Sequence, residues 1–132
     1  MEGLKGDQLM KTSEVQQVLQ GNINWQNFCV THEKEKTRLL SRKDGAATSG
    51  DLGLLFDSEQ VVVTGKQIEN LCKAVLKAEI DLYDAQFLAT VIALSGFDFD
   101  RDDTENAVLL ISSPGSEDLG KIQDAMQMLH LG

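Results

Sequence analysis

The chain has 132 residues, of which 42% are hydrophobic, and a formal net charge of −9 at pH 7. This length and composition predict a single domain over residues 1–132 with a hydrophobic core of its own. The acidic surface excludes nucleic acids and anionic membranes as favoured partners, because like charges repel on approach.

The N-terminal segment 1–11 is polar and Gly-rich and has no apolar periodicity, so it is predicted to be a flexible arm. It contains no apolar stretch typical of a signal peptide or a membrane-spanning helix, which indicates a cytoplasmic protein. Ser13 and Gln16 have the spacing of a capping box, and apolar residues recur at helical intervals up to Gly21. These signals predict a first helix over residues 13–20.

The region that follows carries strand signals. Residues alternate in a strand-like pattern from Glu33 to Arg42, whereas residues 22–33 fit no regular period. Two further short strands are predicted at 52–56 and 60–64, joined by a tight hairpin. The sequence therefore predicts a small antiparallel sheet over about residues 36–64.

The second half of the chain has the period of amphipathic helices. Capping residues precede each apolar stripe, and Gly or Pro follows the middle two helices. Because strands and helices are segregated along the chain, the predicted fold class is α+β, with the sheet packed against a C-terminal helical bundle. The predicted helix starts are Thr64, Asp81, Asp102 and Ser116, and the predicted stops are Ser95–Gly96 and Pro114.

No residue pattern in the chain points to catalysis. His32 lies in a charged run and His130 lies close to the C-terminus, so both are predicted to be surface residues. Cys29 and Cys72 are far apart in sequence and show neither metal-binding nor redox spacing, which predicts buried free thiols. No serine lies in a nucleophile-elbow context. The chain is therefore predicted not to be an enzyme and to need no cofactor.

One motif resembles a calcium loop only in part. Asp98, Asp100 and Asp102 match the first three ligand positions of an EF-hand. Asp103 then stands where the loop needs a glycine, and Leu109 stands where a bidentate glutamate closes the shell. Since two oxygen ligands are lost, no metal site is predicted.

The densest charge lies at 98–105, where five carboxylates occur within eight residues. In an extended segment, Phe97 and Phe99 would face the core while the intervening aspartates face solvent. Such a rigid anionic surface suits the arginines and lysines of a basic protein partner. Trp25 has two open interpretations, a core residue or an interface anchor. The candidate partner-binding residues are Asp98, Asp100, Asp102, Asp103, Glu105 and Trp25.

The stretches YDAQFLATVIALSGFDFD (residues 83–100) and NAVLLISSP (residues 106–114) resemble a segment of small acidic immunity proteins, which neutralise contact-dependent growth-inhibition toxins of bacteria. The resemblance consists of an apolar helix, an acidic–aromatic link and a helix ended by proline. It implies a cytoplasmic, non-enzymatic protein that binds one toxin domain tightly, such as a nuclease, and blocks its active site.

A secretion chaperone or adaptor of similar size and acidity is the alternative. Such a protein binds an unfolded effector segment along apolar grooves or sheet edges. Exposure of Leu54 or Val62 would support it. A dimer would favour this alternative and a monomer would favour the inhibitor; a monomer is expected.

Overall fold

The computed structural model describes residues 10–40, 54–58, 60–113 and 119–131. Within these residues the chain is mostly helical and broadly α+β, with a helical C-terminal part, so the predicted fold class is confirmed at this level. The elements are β1 (Met10–Lys11), α1 (Thr12–Leu19), α2 (Trp25–Thr31), α3 (Glu33–Leu40), β2 (Leu54–Leu55), β3 (Val62–Val63), α4 (Gly65–Leu76), α5 (Leu82–Leu94), β4 (Asp98–Phe99), α6 (Asp102–Ser112) and α7 (Gly120–Leu131).

Two capping boxes start helices α4 and α5. The box of Thr64 and Gln67 and the helix start at Asp81 were predicted, whereas the box of Asp81 and Asp84 was not. The Thr64 hydroxyl accepts from the Gln67 amide at 3.2 Å, and the Gln67 side chain accepts from the Thr64 amide at 3.0 Å. The Asp81 carboxylate accepts from the Asp84 amide at 2.8 Å, and Asp84 accepts in return from the Asp81 amide at 3.4 Å. These bonds satisfy backbone donors that a helix start leaves without an intrahelical partner.

Helix α5 is buried on more than one face, and α6 packs against both α5 and α7. Helix α5 ends at Leu94 with Ser95 as its C-cap, and Gly96 follows with φ of 74°, a left-handed conformation that favours glycine. Helix α6 ends at Ser112, and Ser113 is extended with ψ of 135°, as expected before a proline. None of the helices in the described ranges is long and apolar enough to cross a membrane. Buried members of this C-terminal core include Ile68, Leu71, Phe87, Leu88, Val91, Ile92, Val108, Ile111, Ile122 and Leu129.

Helix α3 occupies the place of the first predicted strand, so the strand expected from residue 36 onward is wrong. Glu, Lys, Arg and Leu, which make up most of α3, have high helix propensity. Glu33 and Glu35 lie in the first turn and Arg38 lies in the last, where their charges complement the helix dipole. Leu39 packs against the core from this helix, and α3 contacts α5.

Both strand pairs are parallel, so the predicted antiparallel sheet is also wrong. Strand β1 pairs with β2, with Met10 opposite Leu54, and β3 pairs with β4, with Val62 opposite Asp98. Strands β2 and β3 lie within the two segments predicted to form a hairpin, but each pairs with a segment distant in sequence. The other positions of the predicted sheet, 41–53 and 59, lie outside the described residues.

Asp57 and Ser58 bind the start of α1 instead of forming the predicted hairpin turn. The Asp57 carboxylate accepts from the Ser13 amide at 2.9 Å and from its hydroxyl at 2.8 Å. The Thr12 hydroxyl accepts from the amides of Asp57 and Ser58, each at 3.1 Å. The bonds from Ser13 hold the pKa of Asp57 below its usual value. The predicted helix is confirmed, but its predicted capping box is wrong, because α1 has no side-chain cap of its own.

The start of the described chain is anchored. Met10 is fully buried and belongs with Lys11 to β1, so the prediction of a flexible arm is wrong for these two residues. Residues 1–9 of that predicted arm lie outside the described residues. The pairing with β2 and the contacts of Thr12 hold this end against the body of the fold.

Candidate functional site

The acidic segment, residues 98–105, begins in a strand that backbone hydrogen bonds hold in place. The Asp98 amide donates to the Val61 carbonyl and the Asp100 amide donates to the Val63 carbonyl, both at 3.0 Å. Phe97 and Phe99 are half-buried against the core, whereas Asp98 between them is exposed. The predicted alternation of core-facing phenylalanine and exposed aspartate is therefore confirmed.

Asp100 differs from its neighbours because its carboxylate serves the fold. One oxygen accepts from the Thr104 hydroxyl at 2.6 Å, and the other accepts from the Gly65 amide at 3.1 Å. Burial alone would raise the pKa of Asp100, but these two bonds and the nearby Arg101 charge outweigh it and lower the pKa. Asp100 thus joins the starts of α4 and α6.

Arg101 ties the same segment to the last helix. Its guanidinium donates to the Leu129 carbonyl at 2.9 Å, near the C-terminal end of α7. A Cβ added at Gly65 would lie 2.9 Å from a guanidinium nitrogen of Arg101, so a larger residue there would displace the end of that side chain. Arg101 also occupies the N-cap position of α6 without capping it by its side chain, so the capping role predicted for Asp102 is wrong.

Three carboxylates project from the first turn of α6. Asp102 and Glu105 are exposed and Asp103 is half-buried. Their negative charge is favoured there by the helix dipole. No lysine, arginine or histidine of the described ranges forms an ion pair with them or with Asp98. The acidic segment therefore keeps four carboxylates that the described part of the chain does not neutralise.

The aspartates do not converge on a common point. Asp98 accepts from the Gln60 side chain at 3.1 Å, while Asp100 turns toward Gly65 and Thr104. In the part of the chain that the structure describes, no group of three or more His, Cys, Asp and Glu side chains is placed to hold a metal ion.

Two exposed apolar side chains adjoin the acidic segment, and sequence reasoning did not single them out as a pair. Val62 lies opposite Asp98 in the β3–β4 ladder and is 47% exposed. Phe56 is 57% exposed and lines a cleft together with Asp98. Leu54 is half-buried. The parallel register that brings Val62 beside Asp98 has no local sequence signal, which explains why the pairing was missed.

Trp25 does not belong to the acidic segment. It is half-buried at the start of α2 and lines a narrow apolar crevice with residues of α1 and α5, among them Val18 and Leu88. Of its two interpretations, this position favours a core residue over an interface anchor.

The two histidines differ in their surroundings. His130 is exposed, as predicted, and its Nε2 lies 3.1 Å from a Glu69 oxygen. The surface prediction for His32 is wrong, because only 4% of it is exposed. Its Nε2 lies 2.9 Å from a Glu14 oxygen, and its ring packs on Phe28 at 4.7 Å between centroids. His32 therefore joins α1 to the end of α2.

The thiols are poorly suited to nucleophilic chemistry. Cys29 and Cys72 are free and buried, as predicted. Burial raises the pKa of each thiol to about 12. Since the thiolate is the reactive form, neither group is activated at neutral pH.

The arrangement as a whole suits recognition through charge and apolar contact. The pKa values of Asp57 and Asp100 are lowered, which is opposite to what a general acid requires. No family model matches the chain, and neither the curated proteins nor the solved structures contain a significant match to it. Any function must therefore be argued from the acidic segment and its surroundings.

Proposed function

We propose that this chain is a non-enzymatic immunity or inhibitor protein that binds and neutralises a basic bacterial toxin domain, such as a nuclease, in the cytoplasm. The observation that carries the proposal is the fixed display of Asp98, Asp102, Asp103 and Glu105, without ion pairs to the described part of their own chain.

Fixing these carboxylates favours binding in two ways. A partner that meets carboxylates on a fixed backbone loses less conformational entropy on association than one that must also order the segment. The uneven charge also steers a basic partner to this half of the chain, which carries twelve acids and five bases from residue 65 onward. Close charge pairs at protein interfaces contribute couplings of roughly 1.5–7 kcal/mol, so a few contacts suffice for tight binding.

The experiment is co-expression with the C-terminal domain of the neighbouring gene's product, read out for toxicity, for growth rescue and for a purified complex. A charge-removing variant combines Asp102→Asn, Asp103→Asn and Glu105→Gln. We expect its affinity for the toxin domain, measured at physiological salt, to fall about tenfold or more through loss of close charge pairs. We also expect a monomer on a sizing column.

A matched control removes the same number of charges elsewhere on the surface. Glu33, Glu79 and Asp124 are exposed and lie outside the acidic segment. The variant Glu33→Gln, Glu79→Gln, Asp124→Asn should keep its affinity within about twofold, because steering by distant charges is weak at physiological salt. Equal losses of affinity in the two variants would show that net charge, and not the position of the acids, determines binding. Absence of both complex and rescue would refute the proposal itself.

A secretion chaperone or adaptor is the second candidate, and the exposure of Val62 and Phe56 favours it. An apolar surface next to a short strand pair suits capture of an extended effector segment. This function predicts a dimer on a sizing column and protection of an unfolded effector from aggregation. An inhibitor would give neither result.

A further inference from the structure

We infer that the cleft beside β4 receives an arginine side chain of the protein partner, an inference that rests on the proposed function. Phe56, Ser58, Gln60, Gly96 and Asp98 line this cleft, which has a volume of about 190 Å³. That volume is below the range of roughly 300–1,000 Å³ typical of pockets for whole small molecules. It suits a single side chain inserted from a partner's surface.

The apolar wall of the cleft is an exposed aromatic ring. Phe56 keeps 57% of its surface exposed, so its ring is accessible to a partner. Its ring atom Cε1 is close to Gly96: a Cβ added at that glycine would lie 3.8 Å from it. Ring faces attract cations, and the planar guanidinium group stacks on them particularly well.

The polar wall of the cleft is the carboxylate of Asp98, which is oriented by a hydrogen bond. The Gln60 side chain donates to one oxygen of Asp98 at 3.1 Å, which holds the group in place. A carboxylate offers about four acceptor positions, so Asp98 retains capacity for a charged donor. None of the described residues that line the cleft is a lysine, arginine or histidine. The cleft thus combines an oriented anion with an aromatic face.

This combination favours arginine over lysine. A guanidinium group can donate to a carboxylate through two parallel N–H bonds and at the same time stack on a ring. A lysine ammonium is a compact, strongly hydrated charge that gains less from the ring. Val62 lies beside Asp98 on the outer face of the β3–β4 ladder and is 47% exposed. It offers a contact for an apolar residue next to the arginine in the partner.

The test needs no identified partner. The intact ¹⁵N-labelled protein is titrated with N-acetyl-arginine-N-methylamide, and with the matching lysine and citrulline compounds, while backbone amide shifts are recorded by NMR. We expect saturable shifts around residues 56–60 and 96–98 for the arginine compound, and affinity at least about threefold weaker for lysine. Citrulline has nearly the same shape without the charge and should cause no saturable shift. Absence of saturation with arginine, or equal binding of the three compounds, would overturn the inference.

Two variants and two matched controls locate the binding. Asp98→Asn removes the charge and Phe56→Leu removes the ring. Each change should weaken binding of the arginine compound about threefold to tenfold. Asp124→Asn and Tyr83→Leu alter an exposed acid and an exposed aromatic ring elsewhere, and should leave the affinity unchanged. Equal weakening in the controls would overturn the assignment. Failure of growth rescue with saturable arginine binding would refute only the toxin-inhibitor function.

Discussion

Removing the carboxylate of Asp100 tests whether this residue stabilises the fold while the other acids of the segment are available to a partner. In Asp100→Ala the Gly65 amide and the Thr104 hydroxyl lose the acceptor they share. Thr104 is fully buried, so water does not readily replace the lost partner. Asp98→Ala is the matched control, because Asp98 is exposed and accepts a single bond from an exposed side chain.

The magnitude follows from the two hydrogen bonds. A bond to a charged group contributes roughly 1.5–3 kcal/mol when shielded, and loss of a helix-capping acceptor costs about 0.5–2 kcal/mol. Asp100 itself is exposed, so solvent screening reduces the charged contribution to the lower end of these ranges. We therefore expect Asp100→Ala to lower the free energy of unfolding by about 2 kcal/mol and Asp98→Ala to change it by less than about 0.5 kcal/mol.

Urea denaturation of the wild type and both variants at several pH values is the assay. The pKa of Asp100 is lowered on folding from an ordinary value of 3.8, so the unfolded chain binds its proton at higher pH. The stabilisation is therefore fully present above that value and is lost as pH falls through the lower folded pKa. The difference between wild type and Asp100→Ala should be constant near neutrality and shrink below about pH 4.

Two results would refute this reasoning. One is an equal loss of stability in Asp98→Ala and Asp100→Ala, which would mean that position in the strand, rather than the two bonds, determines the effect. The other is a difference in the free energy of unfolding between wild type and Asp100→Ala that stays the same at acidic pH. Thr104→Val provides an independent check. Because the two side chains share a hydrogen bond, the double variant should lose less unfolding free energy than the sum of the losses in Thr104→Val and Asp100→Ala.

Other features give predictions of their own. Ala78 has φ of 61°, so Ala78→Gly should raise the free energy of unfolding by about 1 kcal/mol, measured by urea denaturation. Cys29 and Cys72 should react with a disulfide reagent near pH 8 only after unfolding in guanidinium chloride, because burial raises the pKa of each to about 12. Lys36→Met should cost about 1 kcal/mol near neutrality through loss of its ion pair with Asp84. Burial alone would lower the pKa of Lys36, but Asp84 raises it above 10.5, so this cost should disappear as pH rises through the folded pKa.

The C-terminal helices could be predicted because their signals are local. A capping box such as that of Thr64 and Gln67 involves residues three positions apart, and Gly96 ends a helix through its own backbone freedom. Strand pairing has no comparable signal. Val62 meets Asp98 across thirty-five intervening residues, and the same apolar pattern in β3 is compatible with a parallel or an antiparallel neighbour.

His32 shows how the sequence neighbours of a residue can mislead. The charged run around it predicted a surface position, because residues 22–33 fit no regular period that would have placed it on a buried face. In a helix, residues four apart share a face, so His32 lies above Phe28 and enters the core with it. The hydrogen bond from the Gly65 amide to Asp100 could not be predicted either, because it joins residues thirty-five apart in sequence. The display of Asp98 was predicted, since strand alternation alone determines it.

Asp98 is the member of the acidic segment that most needs a functional explanation. The acids in the first turn of α6 are also favoured by the helix dipole, by roughly 0.3–1 kcal/mol each, so they contribute to stability as well as to the charged surface. Asp98 has no such benefit, because it lies in a strand, where aspartate is disfavoured, beside the exposed Val62. We expect Asp98→Thr to raise the free energy of unfolding by about 0.5 kcal/mol in urea denaturation and to weaken partner binding in the same preparation. A residue kept for the fold would give the reverse, with lower stability and unchanged binding.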